Sequence, residues 1–472
     1  MSVNATFTCA HQRIILALFA AIGGPLFAGL APAATLTVKT GESIQAAVGR
    51  ANAGDRIEVM PGTYRETVFI DKDRIDLRGI IVGGKWPVLD GEGQLNDGIL
   101  TSGHGVTIEN MWVRRYKGNG IMTQGSNNYR IVHNVIEGPC FYAIFPQFGK
   151  NGLVAYNVTS KAEDSAIYVG MSANVDVIHN ESYDSVEGIE AENSTDVLIE
   201  NNNVHDNTIG IVLSMLPALP VKTADNMVVR HNFISHNNAK NIAPEGTVTA
   251  GVPGGVGILV LGVHHTAIEG NVIRDNNSAG VLVAQTSFVI AIPDEKINPL
   301  PENIQILSNL FINNGAAPQD MTKDLLDVAG LSRGVDVLAT VKGSENCVTD
   351  RASLSTLGTN HYADCAAGAT SAAVVTKQTR EPVAAPVFTP EQKGRLTYLA
   401  VCSGCHTYDS KLIGPPMITI KALYARDAQR LADWIAKPTR KRPDYAEMPP
   451  QNYLPPDVRL AVANYILTEL NH

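Results

Sequence analysis

The chain has 472 residues, 44% hydrophobic and 18% charged, with a formal charge of -9. That length allows two or more domains with packed cores, and the acidic balance disfavours nucleic acid and other polyanions as partners. The six cysteines split by context.

Residues 1–33 read as an export signal. His11 and Arg13 precede an apolar run from Ile14 to Leu30, and Ala31-Pro32-Ala33 offers a small-residue cleavage pattern. Gly23, Gly24 and Pro25 interrupt a run already short for a spanning helix, and no later segment could cross a membrane. A periplasmic location is expected. Cys9 leaves with the signal, Cys140 reads as a small buried hydrophobe, and Cys347 and Cys365 flank a loop that an oxidising compartment could staple.

Ser43 to Val48 and Asp55 to Met60 read as a short helix and a strand that cap the first coil of a solenoid. From residue 100 to 315 a repeat dominates. Small residues recur before short β-branched runs at Gly120, Ala143, Ala166, Gly188, Gly210, Gly257 and Gly280, the step from Gly210 to Gly257 spanning two coils. A second ladder runs through Asn134, Asn157, Asn180, Asn202, Asn232, Asn271 and Asn309. Repeats of this length cannot bury a face alone and must stack, which predicts a right-handed parallel β-helix over residues 34–365. Asn tolerates the left-handed backbone of a tight corner, and stacked amides can bond from coil to coil. His133, His179 and His231 precede ladder asparagines, but Tyr156 and Asn201 hold that place on intervening coils, so the corner is read as structural rather than as a metal column. Leu213 to Lys222 and Ala243 to Gly255 read as loops, and Gly334 to Leu338 as a last coil.

On the run from Gly188, alternation turns Ile189 and Ala191 inward and Glu190 and Glu192 outward. Phe145 and Tyr168 occupy the position of Glu190 on preceding coils. These four residues form a candidate ligand groove, with Glu190 and Glu192 as candidate catalytic carboxylates about 6 to 7 Å apart. No Asp-rich calcium pocket with a basic residue on the next coil accompanies them, which disfavours a calcium-dependent lyase.

The stretch Ala366 to Pro386 is rich in Ala, Thr, Val and Pro, and residues 366–387 are read as a linker. Beyond it, Cys402-Ser403-Gly404-Cys405-His406 is a C-x-x-C-H motif, in which two thiols attach a heme and the histidine lies under its iron. Glu391 to Val401 and Asp457 to Leu467 are helix-compatible runs.

With Gly414-Pro415 and Met448-Pro449-Pro450, residues 388–472 resemble the small class I bacterial cytochromes c of the c551 type. That resemblance implies an all-α cytochrome c domain with one covalent heme c: Cys402 and Cys405 as anchors, His406 and Met448 as iron ligands, and Pro415 bonding the histidine through its carbonyl. Met417, in Gly414-Pro415-Pro416-Met417, is a rival to Met448, disfavoured because a chain so soon after His406 would have to wrap quickly to the opposite heme face. The solenoid resembles exported bacterial parallel β-helix repeat proteins of unestablished function through Tyr142-Ala143-Ile144-Phe145-Pro146, Gly188-Ile189-Glu190 and the Leu216 to Pro220 loop. The expectation is a periplasmic one-electron carrier whose β-helix docks a polysaccharide or a redox partner protein. The alternatives are a carbohydrate-active hydrolase, lyase or epimerase with an appended cytochrome, and a scaffold displaying a heme.

Overall fold

The computed structural model describes residues 33–472, except 140, 218, 291–293, 377, 379–387, 404, 410, 412, 441, 443, 446, 447, 449, 471 and 472. The predicted leader, Cys140 and the end of the predicted linker therefore lie outside the described residues.

The chain winds into a parallel β-helix whose described strands form three sheets of thirteen, eleven and ten strands, each strand pairing in parallel with its counterpart one coil away. Helix α1 (Ile44–Arg50) caps the first coil, its Ser43 hydroxyl accepting from the Ala46 N–H and its Ile44, Ala47 and Val48 joining the core. Inside, residues such as Ile121, Ile144, Ile167, Ile189, Ile211, Ile258 and Val281 stack in register and are fully buried. Gly188 is needed on such a coil, because a Cβ there would stand 2.3 Å from Val204 Cγ1 and 2.6 Å from the Gly210 carbonyl oxygen.

The asparagine ladder forms as expected. Each Nδ2 donates to the next Oδ1 from Asn134 through Asn157, Asn180, Asn202, Asn232 and Asn271 to Asn309, at 2.9–3.1 Å. The left-handed corner, however, belongs to the preceding residue: His133, Tyr156, His179, Asn201 and His231 have φ of 55–58°. The asparagine amide then satisfies buried backbone groups of neighbouring coils, while the corner side chain points to solvent, where the rings of His133, Tyr156 and His179 stack 4.9 Å apart. A second ladder, Asn207, Asn237, Asn276 and Asn314, runs parallel to the first.

Two expectations about the coils are corrected. The step from Gly210 to Gly257 is one coil, since Ile209–Ser214 pairs directly with Val256–Leu261; loops lengthen it. The solenoid also continues past Leu338, because Thr356–Leu357 pairs with Val335–Ala339 and Ala363–Asp364 with Cys347–Val348. Helix α2 (Asp320–Val328) precedes this last turn, and the Cys347–Cys365 disulfide closes it. The first part of the predicted linker is not free: helix α3 (Ala372–Val375) lies on the thirteen-stranded sheet, where the Ser371 N–H donates to Glu269 and Val374 and Val375 pack near Leu198 and Ala267.

The C-terminal residues fold as a small helical unit of α4 (Pro390–Thr397), α5 (Met417–Tyr424), α6 (Ala428–Ala436) and α7 (Pro456–Asn464). Thr389 caps α4 in a reciprocal capping box with Gln392. Helices α4 and α7 cross at Gly394, where a Cβ would meet the Ala461 carbonyl oxygen at 2.3 Å. This unit packs onto the outside of the eleven-stranded sheet.

Candidate functional site

The eleven-stranded sheet carries one outward column through the solenoid: Phe69, Leu100, Met122, Phe145, Tyr168, Glu190, Val212, Leu259, Leu282 and Leu338. All but Tyr168 and Glu190 are purely apolar, and Glu190 is the only charged member. An apolar outward column requires a cover, and two covers meet at Glu190. The helical unit seals Phe69 to Tyr168 with Leu454, Tyr453, Val401 and Val458. Beyond Glu190, Val212 to Leu338 are covered by Leu216, Val252, Leu219 and Phe288 from the loops.

Phe145, Tyr168, Glu190 and Glu192 thus occupy the outward register predicted for them. They do not form an exposed groove: Phe145 and Tyr168 are 5% exposed and both glutamates 7%. Sequence alternation gives the direction of a side chain from its coil and says nothing of what lies upon it.

Four carboxyls meet at this junction. Glu187, on the same strand as Glu190 and Glu192, is 2% exposed, and Asp164 comes from the corner before Ser165. Oxygen atoms of Asp164, Glu187 and Glu190 lie within 4.8 Å of one another. The Ser165 hydroxyl is 2.7 Å from Glu190 Oε2, 3.1 Å from Glu187 Oε2 and 3.3 Å from Asp164 Oδ1. One hydroxyl hydrogen cannot serve three acceptors, so the remaining contacts become hydrogen bonds only when a carboxyl is itself protonated. Tyr168 O–H donates to Glu192 Oε1, and Thr249 O–H, from the loop after Asn241, donates to Asp164 Oδ1 at 2.8 Å. Glu190 bonds both Glu187 and Glu192, and Tyr142 bonds Asp164.

Burial raises every one of these acids. Asp164 rises to about 6. Glu187 is pushed up to about 8 by burial and then by Asp164. Glu192 reaches about 7, the Tyr168 hydroxyl opposing the rise. Glu190, central in the chain, is held well above the usual carboxylate range by burial, Glu187 and Glu192. Asp164 and Glu187 are the members that sequence reasoning missed: Asp164 precedes its strand, and Glu187 opens the strand at a position that alternation does not mark as facing Glu190.

The aromatic wall is continuous with the acids. Tyr168 stacks on Phe145 at 4.6 Å and touches Tyr142 at 4.6 Å. Its ring crosses the bare backbone of Gly170, where a Cβ would stand 3.0 Å from Tyr168 Cζ.

In the helical unit, His406 Nδ1 donates to the Pro415 carbonyl oxygen at 2.7 Å, and its ring packs on Gly414, where a Cβ would fall 2.3 Å from Cε1. That arrangement fixes the imidazole, so the donor set of the motif fits a covalently held heme. Burial pushes the Cys402 thiol up to about 12 and the Cys405 thiol up to about 11. Met448 is half-buried, and Met417 is buried with its N–H bonded to the Thr407 carbonyl.

A right-handed β-helix family model matches residues 97–217, a region that contains all four acids. No curated protein matches the chain. Similar solved structures include an alginate lyase from Paenibacillus sp. str. FPU-7 (14% identity, TM-score 0.45, 60% of this chain and 99% of the lyase). Others are the mannuronan C-5 epimerase AlgE6 A-module of Azotobacter vinelandii (17%, 0.43, 65% and 81%) and the DFA-IIIase of Arthrobacter chlorophenolicus A6 (14%, 0.42, 66% and 86%). These findings fall on the β-helix, and none supports a cytochrome, an electron carrier or a redox partner. One-electron transfer as the protein's function, with a β-helix that only docks, is therefore corrected: the sequence reading weighted one conspicuous motif over an acid cluster that becomes visible only when strands are stacked. Among the described residues no helix is long and apolar enough to cross a membrane.

Proposed function

We propose that the protein is a carbohydrate-active enzyme of the β-helix, cleaving glycosidic bonds at the Asp164, Glu187, Glu190 and Glu192 cluster. One observation carries the reading: four carboxyls on adjoining coils, beside an aromatic wall, with pKa values driven apart by their environments. Such a spread separates acid from base. Glu190 keeps its proton and is the general acid toward the departing glycosidic oxygen. Asp164, whose carboxyl accepts from the Thr249 hydroxyl and from Tyr142, is held toward its ionised form by these bonds and serves as the nucleophile. Oxygens within 4.8 Å suit the closely spaced carboxyl pair of double displacement with retention. Tyr142 and Tyr168 hold Asp164 and Glu192 by hydrogen bonds and offer ring surface to a sugar. Elimination from a uronate is the second reading. It is disfavoured because a uronate carboxylate would enter a site that already holds four carboxyls.

The test is a reducing-end assay of the full chain on neutral and uronic polysaccharides. Neutral glycans are the expected substrates, with Glu190→Gln and Asp164→Asn each lowering kcat at least about a hundredfold. Cleavage that survives both substitutions refutes the assignment, and unsaturated ends on uronic polymers would establish the lyase instead.

The helical unit is proposed to hold one covalent heme c, Cys402 and Cys405 forming the thioethers, His406 and Met448 flanking the iron. The motif's order, its resemblance to class I cytochromes c and the His406 bond to Pro415 support this. The group would supply an iron centre at this position. Heme staining of a denatured full-length band checks it: the stain is lost in Cys402→Ala plus Cys405→Ala, and no stain from a host able to mature c-type cytochromes refutes it. Export to the periplasm is proposed from the leader pattern and the Cys347–Cys365 bond, and cell fractionation tests it.

A further inference from the structure

We infer that the helical unit is a movable cover at the edge of the acid cluster, closed in this structure, which lifts off the outer sheet to admit a glycan chain. The inference rests on the catalytic reading of that cluster, and the observations that carry it concern the contact itself.

The cover ends where the acids begin. Leu454 is 1% exposed and shares one apolar cluster with Met122, Phe145 and Tyr168, the residues that precede Glu190 in the outward column. With the cover down, Tyr168 is 5% and Glu190 7% exposed, too little for a sugar ring to stack on either. Glu190 and Glu192 keep only their 7% exposure at the junction of this cover with the loops.

The contact is also of a kind that opens. Its core is the apolar contact of Leu454, Val401 and Val458 with Met122, Phe145 and Tyr168, flanked by the Tyr453 hydroxyl donating to Asp97 Oδ2 at 2.7 Å and Gln124 Nε2 donating to the Leu396 carbonyl at 3.0 Å. Phe388 lies over His104 at 6.2 Å. Asp97 does not depend on the cover, since it also accepts from the Asn119 N–H and Nδ2. The sheet beneath would therefore stay intact when the cover leaves, as would the helical unit, which has its own core around Leu431, Ile435, Val462 and Ile466. Tyr168 connects the two: its ring lies under the cover and its hydroxyl holds Glu192. Lifting the cover frees the ring on one side and thereby loosens the Glu192 carboxyl at the other.

Carbodiimide labelling with glycine ethyl ester, read residue by residue by mass spectrometry on the full chain, tests this without a substrate. Labelling of a closed carboxyl proceeds through the open fraction, so weakening the contact raises it. Leu454→Ala is expected to label Glu190 and Glu192 about tenfold faster than wild type. Asp90, which is buried under Arg114 and Arg115, should keep its rate. Tyr453→Phe removes the hydroxyl's bonds to Asp97 and Asn96 while keeping the ring and should give a smaller rise at the same two residues, which keeps the test decisive if Leu454→Ala disturbs the helical unit. Rates at Glu190 and Glu192 equal to wild type in both variants overturn the cover. A chain that labels as expected yet cleaves no glycan would instead count against the proposed activity alone.

Discussion

Four buried carboxyls with raised pKa values make a prediction about stability. Below the unfolded values, near 4.5 for glutamate, each is protonated in both states and its burial is least costly. As the pH rises toward about 8, the unfolded chain releases these protons while the folded chain retains them. The folded state then binds more protons, so the unfolding free energy falls with pH across this window. For Glu187, raised from 4.5 to about 8, full loss is on the order of 4–5 kcal/mol. Glu187→Gln keeps the size and supplies a donor but cannot ionise. It should match wild type near pH 4.5 and exceed it by a few kcal/mol near pH 9, as measured by denaturant unfolding across that range. Opposed to this trend, Asp90 has a lowered pKa, burial being outweighed by Arg115, the Glu92 N–H and Arg114, so its contribution is lost as the pH falls below the unfolded value. Stability should peak near the bottom of the window. A wild type that gains stability from about pH 5 to about pH 8, or a Glu187→Gln effect of one size at every pH, would refute the reasoning.

Asn180→Ala removes a link whose Nδ2 donates to Val154 and Asn202 and whose Oδ1 accepts from Asn157, and should cost about 3 kcal/mol or more by denaturant unfolding because buried partners are left unpaired. Replacing Cys347 and Cys365 by alanine should lower stability by about 2–4 kcal/mol, with wild type in reductant showing the same loss. Tyr168→Phe deletes the bond that opposes the rise at Glu192, so that carboxyl should titrate at higher pH, followed by its infrared carbonyl band. Unchanged titration would mean the hydroxyl does not hold Glu192 in its ionised form.

By itself the sequence determined the winding. A period that returns small residues such as Gly188 and Gly210 to one place, and Asn157 and Asn180 to another, admits few structures except stacked coils, because each coil can bury its apolar face only on its neighbours. It also determined that Ile189 faces in and Glu190 out, since alternation is a property of any strand. The insertions between Gly210 and Gly257 hid the coil count, because a loop lengthens the interval without adding a turn. Only the tertiary structure decided that Glu190 is buried and that Asp164 and Glu187 stand beside it. Those facts depend on the helical unit, more than two hundred residues further along the chain, lying on the column from Phe69 to Tyr168, and on a loop carrying Thr249 to Asp164. Local pattern sets the direction of a side chain; its dielectric surroundings, and hence its pKa and its chemistry, are set by whatever distant segment comes to rest upon it.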